Sequence, residues 1–133
     1  MMEYAINIHE DEEQMCLFRW AAYQRAAVPE LGLLLHIPNG GWRGKAEAGR
    51  FKAMGVRPGV PDIFLPVARG GKHGLWIELK RRRGGHVSPD QQRWIEDLQR
   101  QGYAAQVCYG WDEAREAIKE YLGASLAGRM LED

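Results

Sequence analysis

Hydrophobic and polar positions follow a helical period near the start of the chain. From about Glu10 to Ala27, apolar side chains recur at the three- and four-residue spacing that places them on one face of a helix. Acidic residues fill the first turn, from Glu10 to Glu13, where negative charge favours the positive end of the helix dipole. The pattern predicts an amphipathic first helix.

Shorter apolar runs follow, and they predict three strands and one inserted helix. The run from Leu31 to Ile37 stops at a proline and two glycines, as a buried strand would. Helix formers from Lys45 to Met54 precede a glycine and predict a short second helix. Two further runs, Asp62 to Val67 and Leu75 to Lys80, flank a glycine-rich segment and predict a hairpin. Asp62 and Glu78 therefore fall on adjacent antiparallel strands.

The last third of the chain predicts a helix, a strand and a final helix. Ser88 and Gln91 have the spacing of a capping box, which predicts a helix that runs to about Gln101. Tyr103 to Tyr109 alternates as a strand does, and Asp112 to Leu122 has a helical pattern. This order of elements predicts an α/β fold, with helices packed on a four-stranded sheet.

The size and composition are those of one globular domain: 133 residues, 45% hydrophobic and 27% charged. We expect a single domain over residues 1–133, with a core from about 10 to 122 and a tail from 123 to 133. No stretch approaches the roughly 18 apolar residues of a membrane span, and the acidic N-terminus is unlike a secretory signal, so we expect a cytoplasmic protein. Cys16 and Cys108 lack metal-ligand or disulfide spacing and are expected to be thiols.

The net charge of zero conceals an uneven distribution. Residues 1–35 carry a net charge of −4, residues 36–93 carry +8, and residues 94–133 carry −4. A basic centre of this kind attracts a polyanion, and the phosphate backbone of a nucleic acid is the usual polyanion. The alternative is that these charges are simply solvated faces.

Three residues of the predicted hairpin carry chemistry. Glu78 and Lys80 are two apart on a strand, so they share a face while Leu79 points the other way. Asp62 would supply a second carboxylate from the neighbouring strand, and such a pair suits Mg²⁺, which takes oxygen ligands and completes its shell with water and phosphate. Lys80 would orient water or offset charge on the phosphate. Taken alone, Glu-x-Lys is more often a solvated ion pair.

The joint pattern resembles the VRR-NUC branch of the PD-(D/E)XK nucleases. The matching stretches are Gly59-Val60-Pro61-Asp62, Ile77-Glu78-Leu79-Lys80, Val87-Ser88-Pro89-Asp90-Gln91, Leu98 to Gly102 and, more loosely, Ile37-Pro38-Asn39-Gly40-Gly41. The set is specific although each motif alone is not, and it covers about Glu10 to Ile118. The resemblance implies the PD-(D/E)XK restriction-endonuclease-like αβββαβ core with an inserted helix, and divalent-metal hydrolysis of DNA that is often branched or flapped.

The resemblance also implies roles for individual residues. It maps metal ligands onto Asp62, Glu78 and Leu79, the catalytic lysine onto Lys80, and a helix glutamine onto Gln91, with Mg²⁺ as the metal and Mn²⁺ as its substitute. The family has a further acidic metal ligand on the first helix, and Glu10 to Glu13 all compete for it. We choose Glu13, which is four residues before Leu17 and so faces inward, with Glu10 as the next candidate.

Basic and aromatic residues point to partners. The residues expected to bind nucleic acid are Asn39, Arg43, Lys45, Lys52, Arg57, Arg81, Arg82 and Arg83. Trp20, Tyr23, Trp42, Trp111 and Tyr121 exceed what a small core must bury and favour a homodimer interface, although they could instead pack the core or stack on bases. A non-catalytic nucleic-acid-binding protein and a hydrolase of small phosphoesters are the competing functions.

Overall fold

The computed structural model describes residues 9–38, 45–126 and 128–131 of the chain. Within these residues, helices and strands follow one another as α1 (Glu10–Gln24), β1 (Leu35–His36), α2 (Lys45–Ala53), β2 (Ile63–Leu65), β3 (Leu75–Lys80), α3 (Pro89–Arg100), β4 (Ala104–Tyr109) and α4 (Trp111–Leu122). Short 3₁₀ helices span Pro29–Leu33 and Gly123–Leu126. No helix in these ranges is long and apolar enough to cross a membrane.

The strands form one mixed sheet in the order β1-β2-β3-β4. β1 pairs with β2 and β2 with β3 in antiparallel directions, while β3 and β4 are parallel and are joined through α3. Parallel neighbours need such a crossover, because a short turn cannot return the chain to the starting end of the sheet. The architecture confirms the predicted α/β class with a four-stranded mixed sheet.

The two faces of the sheet differ because side chains alternate along β2 and β3. Ile63, Leu65, Ile77 and Leu79 are at most 1% exposed and pack in the hydrophobic core with residues of α1 and α4. Burial of each such side chain contributes about 1.5–3 kcal/mol. The alternate residues, Glu78 among them, point to the opposite face, where the side chain of Gln91 on α3 contacts Glu78. The polar residues of interest therefore lie between the sheet and α3.

The prediction of a buried strand from Leu31 to Ile37 was wrong over most of its length. The chain forms a 3₁₀ helix there, and only Leu35–His36 pairs with β2. Leu31 and Leu34 are buried whereas Leu33 is 52% exposed, which is the three-residue period of a 3₁₀ helix rather than the two-residue period of a strand. Pro29 starts this turn, since its fixed φ and missing N–H suit a first helical position.

The loop before β2 is fixed against α3. Gly59 has φ +91°, and a Cβ there would lie 2.6 Å from the carbonyl carbon of Asp90, so only glycine fits. Trp94 of α3 donates a hydrogen bond from Nε1 to the carbonyl oxygen of Pro58 at 3.1 Å. These contacts determine where the chain enters β2, and hence where Asp62 lies.

The five aromatic residues predicted for an interface have different environments. Trp20 is 7% exposed and belongs to the core, and Tyr121 packs against the core and donates its hydroxyl to the carbonyl oxygen of Val67. Trp111 also packs against the core but stays partly exposed, and Tyr23 is 57% exposed. Trp42 lies outside the described residues. The expectation that all five exceed the needs of the core was wrong for Trp20 and Tyr121, because α1 and α4 pack those two rings inward.

Candidate active site

A cleft of about 580 Å³ opens where the carboxyl end of β3 meets the start of α1, the end of β1 and the start of α3. Its wall includes Glu10, Asp11, Gln14, His36, Ile37, Pro38, Pro58, Gly59, Val60, Asp62, Glu78, Lys80 and Gln91. Four residues singled out from the sequence, Asp62, Glu78, Lys80 and Gln91, thus share one cleft. Leu79 points into the core, so its main-chain carbonyl oxygen is the atom it could offer to a metal.

Main-chain contacts and ion pairs fix the two carboxylates and the lysine. Asp62 Oδ1 accepts a hydrogen bond from the main-chain N–H of Leu79 at 3.0 Å, which ties the loop before β2 to β3. Lys80 Nζ lies 3.2 Å from Glu78 Oε2, as the alternation along β3 predicts. Glu78 is 4% exposed and Lys80 is 7% exposed, so this pair is not the solvated surface pair that Glu-x-Lys usually forms.

Burial changes the acidity of both carboxyl groups. Burial and the nearby charge of Asp62 raise the pKa of Glu78 to about 7, against the opposing effect of Lys80. Burial also raises the pKa of Asp62, although the Leu79 N–H partly offsets this. Burial and mutual repulsion both disfavour the ionised form of the two carboxyl groups, and the positive charge nearby is too small to offset these effects. A carboxyl pair of this kind is characteristic of functional sites.

Gln91 connects the start of α3 to the cleft. Its Oε1 accepts from the N–H of Ser88 at 2.9 Å, and its own N–H donates to Ser88 Oγ at 3.1 Å, which completes a capping box. Its Nε2 donates to Glu78 Oε2 at 3.1 Å. One side chain therefore caps the helix and contacts the carboxylate at the same time, so the two expected roles do not compete.

The donor set fits a divalent cation. Within the described ranges, no three His, Cys, Asp or Glu side chains form a ready-made metal cluster. Mg²⁺, however, needs only one or two protein carboxylates, because water and substrate phosphate complete its shell. Asp62 and Glu78 could supply these oxygens, and a cation between them would offset both the burial and the repulsion by Asp62 that raise the pKa of Glu78.

Glu13 does not line the cleft. Its side chain is wholly buried and accepts the main-chain N–H of Trp111 at 2.9 Å, while Arg82 Nε lies 3.0 Å from Glu13 Oε2. Glu13 thus provides an acceptor for a main-chain N–H at the N-terminus of α4 that has no partner within the helix, and the helix dipole stabilises the carboxylate there. Glu10, one turn earlier, lines the cleft instead, 3.9 Å from Lys80 Nζ. Of the first-helix acids, Glu10 and Asp11 therefore border the cleft, whereas the preferred candidate, Glu13, does not.

The basic residues expected to bind nucleic acid separate into different groups. Arg82 is held by Glu13 and by Asp112, whose Oδ1 lies 2.8 Å from Arg82 Nη1, so it is committed to an internal ion pair. Arg81 and Arg83 are exposed, as are Lys45, Lys52 and Arg57 on or near α2. Arg57 donates to the carbonyl oxygen of Lys52. Asn39 and Arg43 lie outside the described residues.

His36 lines the cleft, although no sequence pattern assigns it a role. Its Nδ1 lies 2.8 Å from the main-chain oxygen of Asp62, across the β1–β2 pairing. A histidine at the end of an apolar run is usually structural, and only the register of β1 against β2 reveals that this one borders the carboxylates. Gln14 and Asp11 of α1 also line the cleft, and no motif distinguishes them in the sequence.

Comparison with known proteins agrees with this architecture. A family model described as "VRR-NUC domain" matches residues 9–112. A solved structure described as "VRR_NUC domain protein" superposes with a TM-score of 0.76 and is 35% identical, covering 87% of this chain and 89% of that chain. No curated protein matches. The matched residues include the whole of the cleft described above.

Proposed function

The chain belongs to the VRR-NUC family, a family of nucleases, and we propose that it is a divalent-metal-dependent endonuclease that hydrolyses phosphodiester bonds in DNA. One observation supports this proposal above all. Asp62, Glu78 and Lys80 converge in one cleft, and the two carboxyl groups have raised pKa values there. Metal-assisted phosphodiester hydrolysis needs carboxylates that hold the cation and positive charge near the phosphate, and two acids beside a buried lysine can supply both.

Asp62, Glu78 and the main-chain oxygen of Leu79 would hold the metal, with Mg²⁺ as the cation and Mn²⁺ as a substitute. When bound, the cation supplies Lewis-acid polarisation of the phosphate and lowers the pKa of water. Glu10 takes the place of Glu13 as the acidic contribution from α1, because Glu10 borders the same cleft and Glu13 does not.

Lys80 and Gln91 would act on the substrate side and on the geometry of the site, respectively. Lys80 keeps its ammonium 3.2 Å from Glu78 and faces the cleft, where it offsets negative charge that develops on the attacked phosphate. Gln91 donates to Glu78 Oε2 and so orients this carboxylate, while the capping box fixes the glutamine itself. The Leu79 N–H orients Asp62 in the same way.

The preferred substrate is branched, flapped or junction DNA, which suggests a role in repair or recombination. The cleft opens to the surface and is bordered by segments from the basic part of the chain, residues 36–93 with a net charge of +8. Arg83, Lys45, Lys52 and Arg57 belong to the same part of the chain and are exposed. A long polyanion suits such an open site better than a small phosphoester, which would need a closed pocket.

We further infer that the protein acts as a homodimer. One site can cut one strand per encounter, so paired cuts in a symmetric junction need two sites related by a two-fold axis. Three of the aromatic residues line a groove of about 450 Å³ between α1 and α4, and Met15 of α1 is 55% exposed. The residues that line this groove are Cys16, Arg19, Trp20, Tyr23, Trp111 and Arg115. Sedimentation at micromolar concentration should give the dimer mass, and a monomer mass with and without junction DNA would contradict the inference.

The proposal is tested by incubating the purified protein with labelled linear, flapped and four-way DNA. We expect strand cleavage with Mg²⁺ or Mn²⁺ and none with EDTA, and faster cleavage of the branched substrates. Binding of DNA without any cleavage in either metal would favour a non-catalytic DNA-binding protein on the same fold.

A further inference from the structure

A second cleft, of about 390 Å³, adjoins the active-site cleft on the far side of Lys80. The two share Glu10, Asp11 and Lys80. The second cleft adds residues from two segments, His9 at the start of α1 and the turn after β3 with Arg81, Gly84, Gly85 and His86. Lys80 therefore forms a wall common to both clefts. A DNA strand bound at the active site would place one of its neighbouring phosphates at the second cleft.

Three side chains of the second cleft are available hydrogen-bond donors. The side chains of Arg81, His9 and His86 are exposed and form no hydrogen bond or ion pair with any other residue of the described ranges. His9 precedes α1 as its N-cap, yet its side chain makes no capping bond. A guanidinium is always charged, and an imidazole keeps an N–H donor in its neutral form as well as its charged form. The set is suited to phosphate oxygens.

The turn after β3 is built to hold this arrangement. Gly84 has φ +76°, and a Cβ there would lie 3.0 Å from Arg81 Nη2, so the guanidinium folds back over the turn. A Cβ on Gly85 would lie 2.9 Å from Lys80 Cβ. A larger residue at position 84 would displace the side chain of Arg81, and one at position 85 would displace Lys80 at the end of β3. The two glycines thus keep Arg81 and His86 beside Lys80.

Glu10 and Asp11 oppose anion binding in the second cleft because they also line it. Glu10 lies 3.9 Å from Lys80 Nζ and is the acid that we assign to the metal, so its charge is directed to the active site. Asp11 is left as the single carboxylate against Arg81 and the two histidines. The balance of donors therefore favours a phosphate group over a cation in this cleft.

We propose that the second cleft binds a phosphate next to the one that is cut, an inference that rests on the nuclease function proposed above. Arg81 and His86 hold this phosphate from the turn, and His9 holds it from α1. The contact fixes the register of the strand, so that the scissile phosphate lies at Lys80. The phosphate is either an internal diester of the cut strand or a terminal monophosphate at a nearby strand end.

Neutral methylphosphonate substitutions test the contact. In a DNA with a mapped cut, each phosphate flanking the cut is replaced singly, and we expect one replacement to slow wild-type cleavage about tenfold, the effect of losing one charge-assisted hydrogen bond. The double variant Arg81→Ala/His86→Ala should be slowed to a similar extent on unmodified DNA and should lose its sensitivity to that replacement. Arg100→Ala is the matched control, since Arg100 is exposed on α3 and pairs with Asp97.

A terminal phosphate is distinguished by a second pair of substrates, which differ only in a phosphate or a hydroxyl at the strand end nearest the cut. Dependence on that group in the wild type, lost in the double variant, identifies a terminal monophosphate, whereas methylphosphonate sensitivity identifies an internal diester. If the wild type responds to neither modification, or if the double variant responds as strongly as the wild type, the subsite is refuted.

The same substrates also separate this inference from the proposed function. Their equilibrium binding is measured in Ca²⁺, with wild type, double variant and Arg100→Ala. One outcome is that the protein binds DNA in a way that depends on one phosphate only when Arg81 and His86 are present, and yet does not cleave it. That result would refute the proposed nuclease activity and support the phosphate subsite. Metal-dependent cleavage without any such phosphate dependence would keep the nuclease and refute the subsite.

Discussion

Glu10 and Glu13 lie one turn apart on α1, yet their carboxylates meet different parts of the molecule. Helical periodicity correctly placed Glu13 on the inward face, because it is four residues before Leu17. Inward at that point, however, means the N-terminus of α4 and the guanidinium of Arg82. A sequence gives the face on which a side chain lies but not the element that will pack there, so the choice between the two acids required the structure.

These separate environments predict separate losses. Glu13→Gln leaves Arg82 short of a counter-charge and should lower the free energy of unfolding by about 2 kcal/mol, less than for a wholly buried pair because Arg82 is partly exposed. Glu10→Gln should change the stability by less than about 0.5 kcal/mol but should reduce metal-dependent cleavage. Urea unfolding and cleavage rates of both variants check this. Equal stability losses, or full activity in Glu10→Gln, would contradict the assignment.

The raised pKa of Glu78 predicts how the metal-free protein responds to pH. Its pKa is about 7 in the folded protein, against 4.5 for the ordinary value, so folding favours the protonated acid. The stability contributed by this proton is present below about pH 4.5 and is lost as the pH rises towards 7. Glu78→Gln cannot titrate. Its stability relative to the wild type should therefore rise by about 2 kcal/mol between about pH 5 and pH 8.

Urea unfolding in EDTA at these two pH values measures that difference. Lys80 keeps its second acidic neighbour, Glu10, in the variant. A difference in stability between wild type and Glu78→Gln that is the same at both pH values would show that the carboxyl group titrates normally, and that burial does not raise its pKa.

At the scale of the elements, local sequence signals determined most of the site. The glycine-rich turn and the alternation of Leu75–Lys80 predict β3, and the capping box predicts the start of α3. Both signals act within a few residues, so they are visible in the sequence. The run after Pro29 is different, because Leu31 to Leu35 is apolar throughout and carries no period that separates a strand from a 3₁₀ helix. Tertiary packing decides such a segment.

The double use of Gln91 predicts that cap and catalysis can be separated. Ser88→Ala removes the acceptor for the Gln91 N–H and should lower stability by about 1 kcal/mol, while Gln91 Nε2 still reaches Glu78. Gln91→Ala should lower stability and, in addition, reduce cleavage well below the rate of Ser88→Ala. Thermal unfolding and cleavage rates compare the two. Equal activities of these variants would show that the contact with Glu78 does not matter.

At the scale of the whole molecule, the net charge is zero, but the charged residues are unevenly distributed along the chain. The basic central segment carries a net charge of +8 between two segments of −4. Of its three consecutive arginines, Arg82 forms ion pairs with Glu13 and Asp112. Arg81 and Arg83 stay exposed. The sequence showed the basic run but could not show this division, because Glu13 and Asp112 are far away along the chain and meet Arg82 only after folding.

This division predicts which arginines govern the salt dependence of DNA binding. Arg81→Ala/Arg83→Ala should weaken binding to all sequences and reduce the slope of log affinity against log salt by about 1 to 2, one unit for each lost phosphate contact. The control pair Arg93→Ala/Arg100→Ala removes the same charge from α3, where each arginine pairs with an acid of its own helix. An unchanged slope in the first pair would mean that these arginines face away from DNA.

The most direct test of the central claim is the cleavage rate of Asp62→Asn in Mg²⁺. The asparagine keeps an oxygen that can accept the Leu79 N–H and removes only the charge, so the variant should stay folded by circular dichroism. If Asp62 and Glu78 hold the metal, its cleavage of branched DNA should fall to the level seen in EDTA. Cleavage at the wild-type rate would contradict the account, because the cleft would then not be the active site.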